Sequence, residues 1–95
     1  MKEITEQKLK KYFEITGSAI KKIKIAAPKG THLYTMAEDF FDMAKNYYSD
    51  AIHFHKKGDF VNAFAALNYA HGWLDAGARI GLFDVGHDSK LFTVD

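Results

Sequence analysis

The chain contains no cysteine, which excludes disulfide scaffolds, thiolate catalysis and every cysteine-based zinc site. Proline occurs once, at Pro28; with so few of the strongest helix breakers, long uninterrupted helices are expected. No apolar run reaches the length of a membrane span or a signal peptide. The opening stretch, MKEITEQKLKKYFEITG, is charged from its second residue. A phosphate-binding loop is also missing, because Gly72, Gly77 and Gly81 follow no strand and no Gly-Lys-Ser/Thr is present. What remains is 95 residues with 47% hydrophobic and 15% aromatic content, enough for one small helical domain over residues 1–95 with its own core. The expectation is a cytoplasmic protein with no membrane attachment and no cofactor.

A formal net charge of +1 conceals a division along the chain. Lys2, Lys8, Lys10, Lys11, Lys21, Lys22, Lys24 and Lys29 face only Glu3, Glu6 and Glu14 in residues 1–29, and the later residues are acidic in balance. Such a split suits either a basic arm for nucleic acid or a basic helix lying on an acidic hairpin. The lysines alternate with apolar residues, which favours the second.

Periodicity predicts three helices, at roughly residues 3–24, 33–57 and 59–81. In the first, Leu9, Tyr12, Phe13, Thr16, Ala19, Ile20 and Ile23 form one apolar stripe, and Gly17 permits a bend. Pro28 and Gly30 then end it. The second has two candidate caps, Thr31 and Thr35; Thr35 is preferred because Glu38 stands three residues on as a capping-box partner. Its stripe reads Met36, Phe40, Met43, Ala44, Tyr47, Ala51 and Phe54. The link Lys57-Gly58-Asp59 allows only an antiparallel hairpin.

The third helix is the most apolar and organises the rest. Phe60, Ala63, Leu67, Ala70, Leu74 and Ala78 line one side, with Tyr69, Trp73 and Ile80 on another. Trp73 is expected to be mostly buried against the first helix or a second subunit. Residues 84–89 read as a turn. The remainder of residues 82–95 forms a short apolar tail that either folds back or is donated to another chain. The fold class is all-α, a three-helix up-and-down antiparallel bundle with that tail. The small residues of the hairpin fall at tetratricopeptide-like offsets, but in one copy only, so a solenoid is rejected.

The stretches YYSDAIHFHKKGDFVNAFAALNYA and NYAHGWLDAGARIGLF resemble the archaeal domain-of-unknown-function family 357. The likeness spans most of residues 34–94, with Tyr-Ala-His-Gly-Trp-Leu-Asp-Ala-Gly as its most specific core. It implies a cytoplasmic archaeal three-helix bundle and carries no activity with it.

Asn68, His71, Asp75 and Arg79 share one side of the third helix. One reading is an anion-binding pocket in which Asp75 orients His71 and Arg79 anchors the ligand; the plainer one is a surface network of four-residue pairs. No nucleophile stands at an identifiable spacing from them, so no catalytic residue is assigned. The five histidines, His32, His53, His55, His71 and His87, lack paired Glu-x-x-His spacing, and no metal site is assigned. Lys10, Lys11, Lys21 and Lys22 would carry weak RNA or DNA binding, which the near-neutral total charge disfavours. Surplus apolar surface points first to protein interaction, beginning with a homo-oligomer, with Phe41, Tyr48, Tyr69 and Trp73 as interface candidates.

Overall fold

The computed structural model describes residues 3–86, 88 and 91–92. Helix α1 runs Glu6–Lys22, α2 His32–Lys56 and α3 Phe60–Arg79; two short strands, β1 at Lys24–Ile25 and β2 at Phe83–Asp84, complete the order α1-β1-α2-α3-β2. The helices pack on one another as an all-α bundle. All three begin on a side-chain cap: Thr5 accepts from the Lys8 N–H, Thr31 from Tyr34 and Asp59 from Asn62.

The cap of α2 is therefore Thr31, not Thr35. The Thr31 hydroxyl also donates to the Pro28 carbonyl at 2.7 Å, so the proline turn itself presents the cap, and Thr35 lies inside the first helical turns. Residues 3–5 precede α1, and Gly17 lies within an unbroken helix. At the other ends, α2 and α3 close with the same hydrogen-bond pattern. Asp59 N–H reaches back to the Phe54 carbonyl and Gly58 N–H to His55, while Leu82 N–H reaches Gly77 and Gly81 N–H reaches Ala78. These paired bonds require a left-handed residue, supplied by Gly58 at φ 78° and Gly81 at φ 82°.

Helices α2 and α3 share the longest seam. Its centre is built from small residues: Ala37, Ala44 and Ala51 of α2 and Ala63 and Ala70 of α3 are all fully buried, with Gly77 also buried. Counted outward from the turn, these two seven-residue series run opposite one another. The larger side chains expected along the α2 stripe, Met36, Phe40, Met43 and Tyr47, are only half-buried on its flanks. Helix α1 lies chiefly against α3, where Leu9, Thr16 and Ala19 are buried.

The end of the chain folds back onto its own bundle. β2 pairs antiparallel with β1, Lys24 opposite Asp84 and Ile25 opposite Phe83, and the Ala26 N–H donates to Leu82. Leu82, Phe83, Val85 and Phe92 join the core with Leu91 packed beside them. Residues 93–95, including Val94 of the expected tail, lie outside the described residues. Trp73 departs from expectation in its neighbour: it packs against the core, but with its ring edge-on to Phe40 of α2 at 4.9 Å between centroids. His71 faces α1, and two residues further on along a helix is a turn of about 200°, so position 73 points away from α1.

Gly77 packs directly against the Phe83 ring, with which a Cβ there would collide. Gly77→Ala should gain helix propensity of about 1 kcal/mol but lose more to overpacking, with a net destabilisation of about 1–2 kcal/mol in urea denaturation. Combining it with Phe83→Leu should return part of that loss; an additive double variant would show that the two residues do not share one space.

Candidate functional site

Three of the four polar residues expected together on α3 line a cleft between α1 and α3. Asn68, His71 and Asp75 form one wall and Tyr12, Ile15 and Thr16 the other, enclosing about 270 Å³. Arg79 is exposed at the last turn of α3 and is not among the residues lining the cleft.

Both ring nitrogens of His71 are engaged. Nε2 lies 2.6 Å from the Leu91 carbonyl, an acceptor only, so Nε2 bears the hydrogen and donates it. In the neutral ring, Nδ1 is then the acceptor for the Thr16 hydroxyl at 3.3 Å. Asp75 Oδ1 stands 3.7 Å from Nε2, too far for a good hydrogen bond but close enough to favour the donor's orientation. The ring also stacks on Phe92 at 6.3 Å. The chemistry of this arrangement is fastening: one imidazole ties α1, α3 and the returning chain end together. Thr16 is 1% exposed, and its hydroxyl is satisfied by this contact. Periodicity alone had placed Thr16 on the core stripe without a partner, and a contact between residues 55 apart leaves no local signal.

The other histidines are dispersed. His55 bonds the Glu6 carboxylate at 2.5 Å and stacks on Phe60, joining the start of α1 to the hairpin turn. His53 lies edge-on to Phe54. Among the described residues no three histidine or acidic side chains gather closely enough to hold a metal. His87 lies outside the described residues.

The lysines proposed for nucleic acid fall on two faces of α1. Lys10 and Lys21, about 20° apart around the helix, both border the α1–α2 seam, while Lys11 and Lys22 are rotated from them by about 100°. Lys22 pairs with Asp88 at 3.4 Å. Of the interface candidates, Phe41 takes Lys45 over its ring and meets Phe83 edge-on. Tyr48 is held at the α1–α2 crossing, donating to the Phe13 carbonyl at 3.3 Å. Trp73 meets Phe40. Tyr69 is 62% exposed and stacked on Tyr47 at 5.3 Å.

These features define a class, an all-helical three-helix bundle clasped at one end by its own returning chain. The chain belongs to the family described as Protein of unknown function (DUF357), whose model matches residues 11–83. The match takes in most of α1, which carries no motif of its own, and stops within β2. No curated protein and no solved structure matches the chain. Among the described residues no helix is long and apolar enough to cross a membrane.

Two outcomes follow from the geometry. His71→Ala should free the Leu91 carbonyl and leave Thr16 without its acceptor, costing about 1–3 kcal/mol. Hydrogen exchange at the Phe92 amide should accelerate by more than the global loss of stability explains; equal acceleration throughout the chain would refute a fastening role. Burial raises the Tyr48 pKa above its ordinary 10.0. The unfolded chain therefore ionises first, so stability is retained below pH 10 and lost as pH rises beyond it. Tyr48→Phe should be less stable at pH 8 through loss of its hydrogen bond but flatter between pH 9.5 and 11, as followed by circular dichroism.

Proposed function

We propose that the chain is a protein-interaction module that associates with a second copy of itself through the outward face of α3. The observation that carries this reading is a contrast in charge. The exposed positions of α1 are dominated by Glu6, Lys8, Lys10, Lys11, Glu14, Lys21 and Lys22, whereas the only exposed charged residue of α3 is Arg79 at its end. Along α3, Val61, Ala65, Tyr69, Gly72 and Ala76, with Ile80 just beyond the helix, lie within about 100° of arc and are all exposed. Val61 is 67% exposed and Ile80 62%.

Depletion of charge with an aromatic at the centre is the composition of interface cores, while isolated apolar residues on a surface need no explanation. Tyr69 is suited to anchor such a contact because its stack on Tyr47 restricts the ring before association. Small residues at 65, 72 and 76 allow a second helix to approach closely.

Light scattering coupled to gel filtration at tens of micromolar should give the mass of a dimer or larger assembly. Ala65→Lys places a charge in the strip without disturbing the core, so it should yield monomer while changing folding stability by no more than about 0.5 kcal/mol. A monomeric parent protein at that concentration overturns the reading.

A further inference from the structure

The seam between α1 and α2 is open where that between α2 and α3 is closed. The two helices cross at Gly17 and Tyr48, where a Cβ on residue 17 would come within 2.9 Å of the tyrosine oxygen. On either side of that crossing the seam widens. One recess, of about 330 Å³, runs past Lys10, Phe13, Glu14 and Ser18; the other, of about 240 Å³, runs past Ile20, Lys45, Ser49 and Ile52. Gly17, Lys21 and Tyr48 border both.

The smaller recess pairs an apolar floor with a cationic rim. Ile20 and Ile52 supply aliphatic surface from opposite helices, and Ile52 is 39% exposed. Tyr48 presents its ring between them with its hydroxyl already donated to Phe13. Lys21 and Lys45 stand at the rim, and the recess is bordered by no carboxylate among the described residues. Lys45 is partly occupied, 3.6 Å from Asp42 and over the Phe41 ring. Lys21 forms no ion pair among the described residues, and its long stem lets the ammonium reach an anion at either recess.

We propose that this seam binds a single-chain amphiphilic anion, with its carboxylate held at Lys21 and its aliphatic chain laid against Ile20, Tyr48 and Ile52. The ligand is identified by complementarity: an apolar trough favours a hydrocarbon, and lysines at its rim favour one negative charge at the chain's end. At roughly 30 Å³ per small group, the 240 Å³ recess corresponds to about eight chain carbons, with the carboxylate outside it at the rim. This site does not involve the outward face of α3 and stands independently of the self-association reading.

Isothermal calorimetry with sodium decanoate below its micellar concentration tests the site. Saturable binding is expected, weakened at least threefold by Lys21→Gln and by Ile52→Ser and left unchanged by Lys11→Gln, which lies on another face of α1. Decanol should bind more weakly than decanoate, and acetate should give no heat of binding. Both seam variants must melt within 2 °C of the parent; where Ile52→Ser fails this, chemical-shift changes of the Ile20 and Ile52 methyl groups in the parent protein on adding decanoate take its place. Absence of saturable binding, equal affinity for decanol, or indifference to Lys21→Gln would each overturn the proposal.

Discussion

The close approach of α2 and α3 is the constraint on which the rest of the molecule depends. Ala37, Ala44 and Ala51 face a series in which Ala63, Ala70 and Gly77 recur at the same seven-residue interval. With only methyl groups or hydrogens at the centre, the helix axes come together and the large side chains are displaced to the two flanks. Two hydrophobic clusters result, one toward the hairpin turn around Leu9, Ala51 and Leu67, the other toward the clasp around Leu74, Phe83 and Phe92. A larger residue at any central position would push the axes apart and open both.

Helix α1 completes those clusters from one side only. It closes on α3 through Leu9, Thr16 and Ala19, and on α2 through the crossing of Gly17 and Tyr48 and the bond between Glu6 and His55. That asymmetry explains why polar residues collect where they do. At the α1–α3 seam Thr16 is buried and must be partnered, hence the Thr16, His71 and Leu91 chain of hydrogen bonds. At the α1–α2 seam they stay at the rim, where Lys10 and Lys21 keep their ammonium groups in water.

The returning chain end turns a helical hairpin with a loosely attached third helix into a closed unit. Phe83 fits against the missing side chain of Gly77, and β2 pairs with the residues that follow α1, so the ends of the first and third helices are bound through backbone as well as side chains. His71 adds a side-chain fastening to the same segment. Within the polar strip of α3, His71 is engaged by the protein's own backbone at Leu91, while Asn68 and Asp75 line the cleft beside it.

Much of this was written in local sequence. Three amphipathic periods, the Asp59 cap, the Gly58 reversal and the tight hairpin follow from spacing and from residues whose conformational preferences act over four or five positions. Family membership was legible for the same reason, in a contiguous run. Other features depended on distant partners. Thr31 rather than Thr35 caps α2 because the Pro28 carbonyl holds its hydroxyl in place. Ala37 outranks Met36 and Phe40 as core because burial follows the distance between axes, which hydrophobicity alone does not encode. Trp73 meets α2 because the direction of α1 around α3 is set by packing. Local physical chemistry therefore determined which elements form and where they turn. Tertiary structure decided which face of each element meets which neighbour, because that choice rests on complementarity between residues tens of positions apart.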